Sequence, residues 1–119
     1  MGQHNAFGQE GEQIALDFLI GKGYKILQQN FRYDKAEIDI LAQLDKILAV
    51  VEVKTRTSGF LEDLTQTITK KKIQRLVKAA DYFINQNNLD LEVRFDLILI
   101  RKKGQHYDIE HLENAFYHF

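Results

Sequence analysis

Two long apolar stretches occupy the middle of the chain, residues 36–42 (AEIDILA) and 47–54 (ILAVVEVK). Each is aliphatic and rich in β-branched residues, the pattern of a strand with buried faces. Between them, Leu44-Asp45-Lys46-Ile47 supplies the polar pair of a two-residue hairpin turn. Ahead of them, residues 8–21 place Ile14, Ala15, Phe18 and Leu19 at helical spacing, and Gly21 and Gly23 end that helix. Residues 24–32 read as a first strand. Residues 57–67 read as irregular, with Ser58-Gly59 as a turn. The clearest helical period lies in residues 69–86, where Ile73, Leu76, Val77, Ala80, Phe83 and Ile84 fall on one face. Residues 93–100 form a further strand, Lys102-Lys103-Gly104 turns the chain, and residues 107–112 return as the last strand. The predicted order is α-β-β-β-α-β-β, an α/β fold with a mixed central sheet flanked by helices.

Charge breaks the apolar pattern at one place. With Asp45 and Lys46 as the turn, Leu44 faces Ile47, and the same register sets Asp39 opposite Glu52 and Glu37 opposite Lys54. Side chains alternate between faces, so these four emerge together at the end far from the turn, with Ile38, Ile40, Val51 and Val53 on the other face. Like charges directly opposite one another destabilise a strand pair. Charged groups in apolar surroundings are also costly unless paired or bound to metal. A hard cation between Asp39 and Glu52 answers both costs, since Mg²⁺ is commonly held by one or two carboxylates plus waters. Lys54 would then orient a water or stabilise charge on a phosphate. The structural alternative makes Glu37–Lys54 a cross-strand ion pair and leaves Asp39 exposed at a sheet edge. Spacing alone leaves both open.

The two helices add charges of their own. At 100° per residue Glu12 falls inside the apolar sector of the first helix, whereas Glu10, Gln13 and Asp17 share its polar face. The second helix concentrates cations: Lys70, Lys71, Lys72, Arg75 and Lys78 occur between Thr65 and Ala80 without an acid. Lys71, Arg75 and Lys78 lie opposite the apolar stripe, where a solvated surface is the favoured explanation. Lys72 borders the stripe and can lean toward the acids, and Arg56 shares the Lys54 face. Phosphate contacts from Arg56, Lys70, Lys71, Lys72 and Arg75 would give salt-dependent affinity without reading base sequence.

Asp39, Glu52 and Lys54 resemble the PD-(D/E)xK nuclease signature. With Gly8, Gly11-Glu12, Ala15, Gly23-Tyr24, Asn30-Phe31-Arg32, residues 37–40 and 51–56, and Phe95-Asp96, the chain resembles the YraN-like family of small bacterial proteins. The resemblance covers nearly the whole length, from about Phe7 to Phe116. Ala36 departs from it, standing where that family usually has glycine. The family is regarded as endonuclease-like and is similar in layout to archaeal Holliday-junction resolvases. The resemblance therefore implies a restriction-endonuclease-like core, DNA as partner, and Mg²⁺ or Mn²⁺ as cofactor. Asp39, Glu52 and the Val53 carbonyl would be ligands, Lys54 would be catalytic, and Glu12 and Glu37 would complete the acidic shell. Resolvases act as dimers, so a homodimer is implied too.

The remaining features bound this reading. At 119 residues the chain makes one domain, residues 1–119, with a single core. It shows no signal-peptide pattern and no membrane-length apolar run, which points to the cytoplasm and away from membrane insertion. Cysteine is absent, excluding disulfides and thiolate metal sites. A net charge of −1 makes any attraction to nucleic acid local. His4, His106, His111 and His118 are too irregularly spaced for a metal site, and His111 reads as serving local polar groups. Phe116, Tyr117 and Phe119 either pack on the sheet or form a patch for self-association. The competing function is a catalytically silent nucleic-acid-binding or scaffold protein on the same fold.

Overall fold

The computed structural model describes residues 6–58, 60, 64–66 and 68–116. Gly59, Thr67, Tyr117, Phe119, His4 and His118 lie outside the described residues. The elements are α1 (Ala6–Gly21), β1 (Lys25–Tyr33), β2 (Ala36–Leu44), β3 (Ile47–Arg56), α2 (Lys70–Gln86), β4 (Glu92–Lys103) and β5 (His106–Leu112). This is the α-β-β-β-α-β-β order expected from the sequence, with β4 running further toward the Gly104 turn than its apolar stretch indicated.

The five strands form one mixed sheet in chain order, β1-β2-β3-β4-β5. Neighbours are antiparallel except β3 and β4, which are parallel. A parallel pair needs a long crossover, and α2 supplies it. One face of the sheet is covered by α1, through Ala15, Leu16 and Leu19 against Ile40, Ala42, Ala49, Val51, Ile98 and Ile100. The other face meets α2, through Leu76, Ala79, Ala80 and Phe83 against Leu41, Leu48, Val50, Phe95, Leu97 and Leu99. Alternate residues of β4 thus enter opposite layers, which is why its centre reads as unbroken apolar sequence. Phe116 stacks on Phe95 with ring centroids 5.5 Å apart, so this end of the C-terminal aromatic run belongs to the core.

Local chemistry fixes both helices. Gly23 takes φ 96°, and the amides of Gly23 and Tyr24 donate to the carbonyls of Ile20 and Leu19 (both 3.0 Å). This paired arrangement ends a helix where glycine accepts the left-handed conformation. Gly11 serves packing instead. A Cβ there would lie 2.0 Å from Thr55 Cγ2, so the absent side chain lets α1 settle against β3. At the start of α2, Thr69 Oγ1 accepts from the Lys72 amide (3.0 Å), an N-cap that places Lys72 in the first turn.

The β2–β3 register holds from the turn outward: Leu44 faces Ile47, Ala42 faces Ala49, and Ile40 faces Val51. Beyond Ile40 the ladder stops. In a continued ladder the Val53 amide would bond the facing strand's backbone; here it donates to Asp39 Oδ2 at 2.8 Å. The alternation of side chains breaks at the same place. Ile38 packs in the α2 layer and Ile40 in the α1 layer, although residues two apart share a face in a regular strand. On the other side of β2, Asn30 of β1 takes φ 51° between the pairs Gln29–Ile40 and Phe31–Ile38. The single shared face expected for Ile38 and Ile40 is therefore corrected, because β2 is irregular at Asp39 and parts from β3 there.

Candidate functional site

The parting of β2 and β3 opens a cavity of about 440 Å³. Its lining includes Asp39 and Glu37 from β2, Glu52, Val53, Lys54 and Arg56 from β3, Glu12 from α1 and Lys72 from α2. Gly8, Thr55 and Lys35 complete it. Helices on opposite faces of the sheet both reach this point because it lies where the sheet itself divides.

Glu52 is the electrostatic hub. Its Oε2 lies 2.7 Å from Lys54 Nζ and 2.7 Å from Lys72 Nζ, and its side chain is 12% exposed. Burial raises its pKa, but the charge and hydrogen bonds of Lys54 and Lys72 outweigh that and hold the carboxyl below its ordinary value. Asp39 moves the other way, to about 7. Burial is the largest cause, opposed by the Val53 amide and reinforced by Glu52 and Glu12, while Lys54 offsets only part. Two neighbouring carboxyls thus have their affinities for protons driven apart, an arrangement associated with acid–base and metal sites.

The residues singled out in the sequence are distributed unevenly. Asp39, Glu52, Lys54, Glu12, Glu37, Arg56 and Lys72 line the one cavity. The expected Glu37–Lys54 opposition is corrected. Lys54 pairs with Glu52, two residues along its own strand, and Glu37 pairs with Arg32 of β1 (3.4 Å). The strands have separated by that point, so sequence register no longer sets partners. Lys70, Lys71 and Arg75 lie on α2 outside the cavity lining. Lys35 joins the lining without having been anticipated; it sits in the β1–β2 turn, and only the irregularity of β2 brings it near.

Among the described residues no three acidic or histidine side chains close around a single point. A cation here would therefore have an open shell of two carboxylates, the Val53 carbonyl and waters. That donor set suits Mg²⁺, which keeps several of its waters.

A second polar cluster lies on the α1 side of the sheet. Asp96 is 0% exposed, and its carboxylate accepts from Arg94 Nε (2.9 Å) and a second Arg94 nitrogen (2.8 Å), His111 Nε2 (2.9 Å) and the Asn114 amide (3.1 Å). Burial raises its pKa, yet the bonds from His111, Arg94 and Asn114 prevail and lower it. Lys22 Nζ lies 2.9 Å from His111 Nδ1; an ammonium only donates, so Nδ1 accepts and Nε2–H faces Asp96. With Ala115 donating to the Phe95 carbonyl (2.7 Å), this cluster ties the segment after β5 to β4. His111 thus serves local polar groups, as its position indicated. Arg94 shares the face of Asp96 by its two-residue spacing on β4, whereas the arrival of His111 and Asn114 had no signal in sequence spacing.

A model of the Uncharacterised protein family UPF0102 matches residues 11–100. A UPF0102 protein of Flavobacterium psychrophilum is 48% identical over 119 residues, covering all of both chains. One of Flavobacterium johnsoniae is 47% identical over 123 residues, again covering all of both. One of Thermodesulfovibrio yellowstonii is 43% identical over 110 residues, 92% of this chain and 95% of the relative. In the described residues no helix is long and apolar enough to cross a membrane.

Proposed function

The chain belongs to the UPF0102 family, and we propose that it is a metal-dependent endonuclease hydrolysing phosphodiester bonds of DNA, with its site at the parting of β2 and β3. The observation that carries the reading is the meeting in one cavity of Asp39 and Glu52 with Lys54 and Lys72. Asp39 and Glu52 would hold Mg²⁺ or Mn²⁺, with the Val53 carbonyl as a further ligand. Glu12 and Glu37 would extend the acidic shell around that cation. A bound divalent cation would lower the pKa of its water and screen charge on the phosphate. Lys54 would position that water. Lys72 now shares Glu52 Oε2 with Lys54, and would be released to the phosphate once the cation takes that oxygen's charge. With its pKa raised to about 7, Asp39 would give up a proton to the solvent as a cation binds, which makes metal affinity pH-dependent.

The competing reading is a silent nucleic-acid-binding scaffold. It is favoured by the fact that Glu52 is already neutralised by two ammonium groups. Calorimetric titration with Mg²⁺ and Mn²⁺, followed by cleavage assays on branched and single-stranded DNA, separates the two. Metal binding and cleavage that both vanish in Asp39→Ala and Glu52→Ala, with circular dichroism unchanged, are the expected results. Cleavage at the wild-type rate by either variant would remove that residue from the proposed site. DNA binding that survives both substitutions, with no cleavage by the wild type, would establish the scaffold.

A further inference from the structure

The outer flank of α2 carries a second arrangement. Lys71, Arg75, Lys78 and Tyr82 recur at intervals of four, three and four residues, which at 100° per residue keeps them in a sector roughly 60° wide. At the end of this row the Tyr82 ring lies nearly parallel to Tyr33, with centroids 4.3 Å apart and an interplanar angle of 20°. It is also nearly parallel to Phe31, at 6.4 Å and 24°. Phe31 and Tyr33 are two apart on β1 and share a face. One face of the Tyr82 ring thus covers both, while the residue stays 40% exposed.

Among the described residues the large apolar side chains left exposed are Ile20, Phe60 and Tyr82. Ile20 has no ring, and Phe60 lies on a different part of the chain beside Arg101, 6.0 Å from its guanidinium. Tyr82 alone of these three combines an exposed aromatic ring, stacking support from β1 and a row of cations on the same flank of its helix. Asp81 lies about 100° round the helix from Tyr82, outside the row. The elements that carry the stack also carry residues of the cavity lining. Along α2, Tyr82 is about 15 Å of helix axis from Lys72. Along β1, Tyr33 is followed two residues later by Lys35, which lines the cavity.

We propose that Tyr82, backed by Tyr33, is a stacking platform for an unpaired nucleobase, and that Lys78, Arg75 and Lys71 carry the phosphates of that strand toward the cavity. The inference rests on the nuclease reading and narrows its substrate to DNA bearing a single-stranded stretch. Inside a duplex both faces of each base are covered by its neighbours, so away from a duplex end only an unpaired base can lie on Tyr82. Stacking of this kind accepts any base, because every base has a π-face, and the cations alongside fix the backbone without reading sequence.

The test is fluorescence anisotropy in chelator at low salt, with three labelled probes: a short mixed-sequence single strand, an abasic strand of the same length, and a blunt duplex. The wild type is expected to bind the base-bearing strand about tenfold more tightly than the abasic one. Tyr82→Phe should keep that ratio. Tyr82→Leu, which still covers Phe31 and Tyr33 with an apolar group, should reduce it to near one with an unchanged thermal melt. Equal wild-type affinity for the two single strands, tighter binding of the duplex, or a ratio that survives in Tyr82→Leu would overturn the platform. A wild type that binds no strand would also overturn the platform. Binding in chelator needs no turnover, so the two readings fail separately: a Tyr82-dependent ratio without cleavage in Mg²⁺ removes only the enzyme, and cleavage without the ratio removes only the platform.

Discussion

Replacing Asp39 with asparagine in the metal-free protein should stabilise the fold at alkaline pH. The Asp39 carboxyl has an ordinary pKa of 3.8 and is raised to about 7 in the folded chain, chiefly by burial and then by Glu52 and Glu12. Between these two values the folded state keeps a proton that the unfolded chain has released, so stability falls as pH rises through the window. The loss is complete above about 7 and absent below 3.8. With one pKa unit equal to about 1.4 kcal/mol, its ceiling is about 4 kcal/mol, and water in the open cavity lowers it toward roughly 2 kcal/mol. Asparagine retains an oxygen that accepts from the Val53 amide, yet carries no charge. Urea unfolding followed by circular dichroism, in chelator from about pH 4 to about pH 8, should show the variant gaining on the wild type as pH rises. A variant less stable than the wild type at about pH 8 would refute the reasoning. It would mean that Asp39 is a working member of an ion-pair cluster, whose loss typically costs about 3–5 kcal/mol.

Gly11→Ala should destabilise the protein by about 1–3 kcal/mol in thermal or urea unfolding, because the new methyl meets Thr55 Cγ2. Adding Thr55→Ser removes that methyl contact and should recover the loss, helped by the better helix propensity of alanine; no recovery would place the cost elsewhere. Asp96→Ala should cost about 3–5 kcal/mol at neutral pH by leaving Arg94 without its buried partner. The stability from Asp96 is present above the ordinary carboxyl pKa and is lost as pH falls through its lowered folded value, so the gap should close in acid. A gap that persists there would refute the assignment.

Much of the fold was legible because its signals are local. The period of Ile73, Leu76, Val77, Ala80, Phe83 and Ile84 marked α2, and the polar pair Asp45-Lys46 set a register that holds through Ile40–Val51. The resemblance to the YraN-like family was legible from scattered motifs, and the UPF0102 match bears it out. The gathering of Asp39, Glu52 and Lys54 also followed from register, since all lie within a few residues of the paired part of the hairpin. What could not be read was the point where the ladder ends. That depends on the competition between Asp39 and the facing backbone for the Val53 amide, and on Asn30 adopting φ 51° beside it. Glu37 consequently pairs with Arg32 instead of facing Lys54, and Lys35 enters the cavity. The Tyr82–Tyr33 stack was hidden for a different reason. It joins two elements far apart in sequence, so the aromatic on the polar face of α2 did not reveal its partner.

The order of the strands bears on how the molecule assembles. Because β1, β2 and β3 neighbour one another in the sheet as they do in the chain, their pairing closes only short loops and is entropically cheap. The parallel β3–β4 pairing closes a longer loop and must wait for α2 to cross over. In a meander of the first three strands, Asp39 and Glu52 would already be neighbours while Lys72 was still free in solution. Lys54 of β3 offsets part of their mutual repulsion within that meander, and docking of α2 relieves more of it by bringing the Lys72 ammonium to Glu52. A charge pair that burdens the finished fold thus discourages partly folded species and ties the hairpin to the helix in one cooperative unit.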